Sequence, residues 1–227
     1  MYFIQKNLTR FNNIGYTYFL NPNELNKLKS KLKKNEYSIY YPYKDSEKNI
    51  VYKNNIPEVI LYEIKSKKML RHQDILGTMY SLNIAPDLFG DILIINNRYY
   101  IYILPILRNY FESNFNCIKN SKIYLEEIDI NSLSDYEREY EQIELIVSST
   151  RADTIISNII HTSRSEVSSL ISKKNIILNY EYLSNTDYKL KENDIFSIKK
   201  YGKYKYIGTK KKTKKGHLIV ELFKYKW

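Results

Sequence analysis

One cysteine, six glycines and three histidines put several classes of protein out of reach. Cys117 has no intrachain partner, so an internal disulfide and a multi-cysteine zinc site are both ruled out, which fits a reducing cytoplasm. So few glycines leave no Gly-x-Gly-x-x-Gly nucleotide loop anywhere in the chain. His72, His161 and His217 lack Glu or Cys companions at ligand spacing, so no metal centre and no cofactor are expected. The longest aliphatic run, Ile92 to Ile95, is far short of the roughly 20 residues that span a bilayer. Met1 to Lys6 lacks a basic segment followed by an apolar core, so no signal peptide is expected and the chain reads as cytoplasmic. Tyr, Ile, Asn and Lys are abundant, a bias that suits an AT-rich genome. The 24 tyrosines are therefore weak evidence for base stacking by themselves.

What is present is positive charge, and it is unevenly placed. Residues 150–227 hold 17 Lys and Arg against 7 Asp and Glu, a net of +10, whereas residues 1–149 hold 19 against 18, a net of +1. A cationic module attached to an electrically ordinary body points to a polyanion as partner. The 43% hydrophobic and 27% charged content describes a globular chain, and 227 residues suit two or three small domains.

Hydrophobic periodicity gives the coarse organisation, an α+β chain. Asn21 with Pro22 starts a helix that Leu25, Leu28 and Leu32 carry to about Lys34. Tyr37–Tyr43 and Val59–Ile64 read as strands across the polar stretch 44–55. Ile75, Leu76, Met79, Tyr80 and Leu82 predict a helix that stops before Pro86. Asp91–Ile95 and Tyr99–Ile103 predict a hairpin, Leu104–Phe115 a helix and Ser121–Ile128 a closing strand. The expected domains are an α/β region over 1–70, an α/β unit over 71–130, an acidic linker with a short helix or strand over 131–147, and a cationic domain over 148–227.

Within the cationic domain, Ile155, Ile156, Ile159 and Ile160 share one helix face. Ser163 and Glu166 form a capping-box signature for a second helix with Val167, Leu170 and Ile171 as its buried stripe. Asn175 is the expected left-handed residue where that helix ends. The second helix offers free N–H groups and a positive dipole end to a phosphate; Ser163, Ser165 and Arg164 add donors there. Lys173 and Lys174 continue the surface, and Lys199, Lys200, Lys203 and Lys205 extend it, interleaved with Tyr201, Tyr204 and Tyr206. The run Lys210 to Lys215 is expected to be a phosphate-contacting loop between strands Lys203–Thr209 and His217–Tyr225.

These residues resemble the S4 RNA-binding domain. Its pattern is Arg-Leu-Asp, a helix, Ser-Arg-x-x-Ala, Leu-Ile, a basic residue with Gly, Val-x-Val-Asn-Gly, and later Gly-Asp. The matching positions are Arg151, Asp153, Ser163, Arg164, Leu170, Ile171, Lys173, Lys174, Asn179 and Asp194. The departures are Ala152 for Leu, Val167 for Ala, and Asn175, Tyr180 and Asn193 for Gly. Upstream, Arg71-His72-Gln73-Asp74-Ile75-Leu76-Gly77 followed by Gly90-Asp91-Ile92 is similar to the middle domain of the YlmH family, as Thr213 to His217 is to its C-terminal segment. The resemblance implies RRM-like N-terminal and middle units before a C-terminal S4 domain. It further implies a non-catalytic, monomeric bacterial factor that binds the large ribosomal subunit through 23S rRNA and peptidyl-tRNA. Its role would be in ribosome-associated quality control beside a RqcH/NEMF-type factor that adds alanine tails. A cell-division role is also attached to that family.

The expected RNA contacts are Arg151, Ser163, Arg164, Ser165, Lys173, Lys174, Asn179, Lys199, Lys200, Lys203, Lys211, Lys212, Lys214 and Lys215. Arg71, His72 and Asp74 are better explained by helix capping and ion pairing than by acid–base chemistry. An RNA-modifying enzyme with an appended S4 domain is the rival reading, but no Gly-Arg-Leu-Asp-type aspartate is present. A membrane-surface protein would need a basic amphipathic helix, whereas the basic residues here sit around strands and turns.

Overall fold

The computed structural model describes residues 2–226, which fold into two compact units, 2–137 and 138–226. Among the described residues no helix is long and apolar enough to cross a membrane. The first unit opens with α1 (Tyr2–Ile14), which the sequence patterns above do not announce. It lacks acids in its first turn and bases in its last, and its stripe of Phe3, Ile4, Leu8 and Phe11 is interrupted by the buried Asn7. Asn7 is no defect, because its Oδ1 accepts the Tyr18 N–H at 3.0 Å and fixes the chain leaving the helix. Next comes α2 (Pro22–Lys29), with a full capping box. Asn21 Oδ1 accepts the Glu24 N–H at 3.0 Å, and Glu24 accepts the Asn21 N–H at 2.9 Å. It ends at Lys29 rather than near Lys34, since like charges at Lys29, Lys31, Lys33 and Lys34 oppose further turns. The short strands β1 (Ser38–Tyr40) and β2 (Ile50–Tyr52) pair antiparallel, β2 lying inside the stretch read as polar connection.

The rest of the unit runs β3 (Ile60–Ser66), α3 (His72–Ser81), β4 (Phe89–Ile95), β5 (Arg98–Ile103), α4 (Arg108–Asn114), β6 (Cys117–Ile118) and β7 (Ser121–Ile128). The strands lie in the order β4-β5-β3-β7-β6, all antiparallel. Thus β3 is the central strand, and a boundary at residue 70 would separate it from the sheet it centres. Ile60, Tyr62 and Ile64 alternate onto one face with Ile75, Met79 and Phe111 of the helices. Leu61, Tyr100 and Tyr102 alternate onto the other, where Phe19, Tyr43 and Ile50 cover them. Both faces of this sheet are therefore occupied over much of their area.

The second unit runs β8 (Tyr140–Val147), α5 (Ala152–Ile159), α6 (Arg164–Ser172), β9 (Ile176–Leu178), β10 (Glu181–Tyr182), β11 (Ile195–Ile198), β12 (Gly202–Lys212) and β13 (Leu218–Tyr225). Its antiparallel sheet has the order β10-β9-β11-β12-β13-β8. The acidic stretch read as a linker thus contains an edge strand, paired with β13 along its whole length from Tyr140 to Val147. Ile155, Ile156, Val167 and Ile171 of the helices pack on Phe196, Tyr204, Val220 and Leu222 of the sheet.

Scarce glycine is answered by other residues in left-handed turns. Three helices close in the Schellman pattern with a non-glycine residue at positive φ: Asn83 (54°), His161 (51°) and Lys174 (55°). The closing bonds are Ile84 N–H to Met79 O at 3.1 Å, Thr162 N–H to Ser157 O at 3.0 Å and Asn175 N–H to Leu170 O at 2.9 Å. Asn175 is accordingly not the left-handed residue. Lys173 caps α6, so the left-handed position falls on Lys174, and Asn175 supplies the closing N–H.

Candidate nucleic-acid interface

A buried carboxylate organises the entrance to both helices of the second unit. Asp153, in the first turn of α5, has a side chain only 4% exposed. Arg151 grips it with two bonds, Nε to Oδ1 at 3.1 Å and Nη2 to Oδ2 at 2.8 Å. Arg164, first residue of α6, reaches the same Oδ2 from Nη2 at 2.7 Å and from Nε at 3.1 Å. Arg151 also pairs with Asp187. Burial pushes the Asp153 carboxyl up, but hydrogen bonds from Arg151 and Arg164 outweigh it and hold the group well below the usual carboxylate range. The consequence is a fixed Arg–Asp–Arg bridge between two helix starts, with half of the Arg164 side chain still facing solvent. Ser163 caps α6, its Oγ accepting the Glu166 N–H at 3.1 Å. The reciprocal half of the expected capping box is absent, because the Glu166 carboxylate takes the Thr162 hydroxyl instead. Ser165 is exposed on the first turn.

At the far end of α6, about 13 Å away at 1.5 Å per residue, Lys173 and Lys174 are exposed. The turn between β11 and β12 lies beside them, since the Lys199 N–H donates to Asn175 O at 2.9 Å. Four exposed lysines, Lys173, Lys174, Lys199 and Lys200, are thereby gathered from two separate turns. Lys174 Nζ also stands 5.7 Å from the centre of the Tyr182 ring, and that ring is 59% exposed. Lys203 is only partly exposed; its Nζ lies 5.1 Å from the Tyr180 ring and 4.8 Å from the Tyr225 ring.

The remaining expected residues fall elsewhere. Asn179 is committed within the unit, its Nδ2 donating to Asp194 at 2.7 Å and its Oδ1 accepting the Ile195 N–H at 2.9 Å. With φ of 47° at Asn179 and 68° at Tyr180, it turns the chain from β9 to β10. The β12–β13 hairpin is longer than expected. Lys211 and Lys212 belong to β12 itself, and only Lys214 and Lys215 sit at the tip, closed by Thr213 N–H to His217 O at 2.7 Å. Lys210 is neutralised by Glu144 at 2.6 Å and Glu221 at 3.1 Å. At roughly 3.3 Å per residue the tip stands about 30 Å along β12 from the Lys199–Lys200 turn. Asp187, Tyr180 and Tyr225 were not foreseen as parts of the surface. Only their position in space reveals them, because nothing in the sequence marks which carboxylate or ring lies under a given cation.

Two helix starts fixed by one carboxylate, and four exposed lysines gathered at one end of a sheet with no carboxylate partner among the described residues, give this α+β chain a surface whose charge is complementary to a polyanion. Residues 55–132 match the family described as "Putative RNA-binding domain in YlmH", a span that takes in the central strand β3. The matched span lies within the first unit. It is 22% identical over 144 residues to "Ribosome-associated protein quality control protein P2" of Bacillus subtilis (strain 168), an alignment covering 63% of this chain and 56% of the relative. The chain spans a little over half the length of that relative. A solved structure, "Cell division protein ylmH from Streptococcus pneumoniae", is 21% identical with a TM-score of 0.47, covering 58% of this chain and 90% of that one.

Proposed function

We propose that this protein is a non-enzymatic RNA-binding factor of the large ribosomal subunit, acting in ribosome-associated quality control. In this reading the second unit is an S4-type domain and the β3–β7 unit is RRM-like. The ligands are 23S rRNA and peptidyl-tRNA in the cytoplasm, and a RqcH/NEMF-type factor adds alanine tails to the stalled chain. The observation that carries it is the cluster of Lys173, Lys174, Lys199 and Lys200, four exposed cations on two adjoining turns with no carboxylate partner among the described residues. The fixed Arg151–Asp153–Arg164 bridge supports it, because a guanidinium already oriented on a carboxylate loses less freedom when its outer edge meets a phosphate. Ser163, Ser165, Lys203, Lys211, Lys212, Lys214 and Lys215 are the further contacts of this reading, whereas Asn179 shapes the turn beneath them.

The test is co-sedimentation with purified large subunits over a range of salt. Wild type should pellet with the subunits, and the Lys173→Ala/Lys174→Ala/Lys199→Ala/Lys200→Ala variant should bind more weakly. The slope of log affinity against log salt should be shallower by about three, at roughly 0.7 to 0.9 for each phosphate that is no longer neutralised. Wild type that stays in the supernatant at low salt would sink the proposal. Appearance of a modified nucleotide in the rRNA would favour the enzyme reading instead.

A further inference from the structure

The first unit carries its own cationic surface, at one end of its sheet. Asp74, in the first turn of α3, has a side chain 4% exposed and accepts the Arg71 N–H at 2.9 Å. It also holds the Arg71 guanidinium at 3.2 Å and the ammonium of Lys119, from the β6–β7 turn, at 2.7 Å. Both cations remain largely in solvent, Arg71 at 72% and Lys119 at 55%. The pairing of β3 with β7 runs up to Ser66 opposite Ile123, so the next residue, Lys67, comes beside Lys122. Lys67, Lys68 and Lys122 are exposed. Lys122 Nζ lies 5.1 Å from the ring of Tyr124, itself 58% exposed. Five cations, four from two loops and Lys122 from the start of β7, thus share one end of the sheet, and the carboxylate among them is buried and already used. The architecture repeats that of the second unit: a buried aspartate at a helix start orients two cations whose outer sides face water.

We infer that this surface, Lys67, Lys68, Arg71, Lys119 and Lys122, is a second RNA contact that binds the phosphate backbone, with Tyr124 as an adjacent stacking face. The inference rests on the reading of the chain as an RNA binder and says where the matched span 55–132 would touch RNA. On the sheet face opposite α3 and α4, Phe19, Tyr43 and Ile50 cover Tyr100 and Tyr102 and keep bases from that part of it, whereas Tyr124, paired across with Lys65 on the same face, stays exposed. At the sheet end these cations stand in solvent, and the exposed acid two residues beyond Tyr124, Glu126, is already paired with Lys65 at 3.0 Å. Lysines on loops act as adjustable point charges, which suits a backbone of irregular geometry, and an exposed ring beside them accepts any base.

The experiment is fluorescence anisotropy of a labelled RNA hairpin with the full chain, titrated at several salt concentrations. The Lys67→Ala/Lys68→Ala/Lys122→Ala variant removes three exposed side chains with no carboxylate partner among the described residues, so its melting temperature should match wild type. Its affinity should fall about tenfold at moderate salt, with a slope shallower by about two. A control of equal charge, Lys31→Ala/Lys33→Ala/Lys34→Ala at the end of α2, should change affinity less than twofold. Wild-type affinity in the patch variant, while Lys173→Ala/Lys174→Ala weakens binding, would overturn this surface and leave the RNA-binding reading standing. An equal effect in the control would overturn it too, reducing the result to net charge. Wild type that binds no RNA, or binds only phosphatidylserine vesicles, would end both.

Discussion

At the scale of single residues, the two buried aspartates do the same work in different units. Asp74 and Asp153 each exchange water for hydrogen bonds from two cations, so burial, which alone would raise their pKa, is overcome. For Asp74 the balance settles at about 2, below its ordinary value of 3.8. The sign follows from linkage. A carboxyl whose folded pKa is depressed contributes stability above its unfolded pKa, and that contribution is lost as pH falls through the folded value. Asp74 should therefore stabilise the first unit at neutral pH and cease to do so between about pH 4 and pH 2. Because Arg71 and Lys119 are solvated, screening leaves on the order of 1 kcal/mol of this linkage. Denaturant unfolding of wild type and Asp74→Asn should show a stability gap near neutrality that narrows by that amount at pH 2.5. A gap that stays constant with pH would mean that Asp74 acts through shape alone.

At the scale of elements, what was legible followed local rules and what was hidden depended on tertiary partners. The capped helices were readable because Asn21 and Ser163 act on neighbours three residues away. The β4–β5 hairpin was readable because Asn96 and Asn97 tolerate the positive φ of 50° and 59° its turn demands. By contrast, α1 was hidden by Asn7, a buried polar residue whose Oδ1 finds its donor only in the distant Tyr18 backbone. The strand β8 was hidden by its own glutamates, which become favourable only beside the lysines of β12 and β13. The lysine cluster could be listed but not assembled, since the bond that joins its two turns links Lys199 to Asn175. Left-handed residues have a measurable cost. A non-glycine residue at positive φ loses roughly 1 kcal/mol or more relative to glycine, from crowding of Cβ against the carbonyl. His161 is exposed and ends α5 at a φ of 51°. His161→Gly should accordingly stabilise the chain by about 1 kcal/mol in denaturant unfolding and raise the melting temperature by a few degrees. No gain, or a loss, would show that the imidazole makes a compensating contact.

At the scale of the whole molecule, charge is sorted by unit and then sorted again within the second one. Residues 138–227 hold 18 Lys and Arg against 10 Asp and Glu, a net of +8, while residues 1–137 hold 18 against 15, a net of +3. Inside the second unit three of the acids line β8 and the residue before it, where Glu144, Glu141 and Glu139 pair with Lys210, Lys224 and Lys226 at 2.6, 3.6 and 3.4 Å. One edge of that sheet is thus neutralised, and the unopposed cations remain toward β9 and β11. The strand β8 has a second duty, because Val147 lies in the core with Ile143 and Leu145 packed against it. Without it, β13 becomes an unpaired edge eight residues long with apolar side chains uncovered, a template for aggregation. Two fragments separate these roles. Residues 138–226 contain a complete core and should unfold cooperatively. They should bind RNA with a salt slope shallower than that of the full chain by the share of the first unit's patch. Residues 148–226 keep every cation of the candidate interface but lack β8, and they should aggregate or remain unfolded by circular dichroism. If the shorter fragment folds and binds as the longer one does, β8 is dispensable and the boundary between the units falls after it.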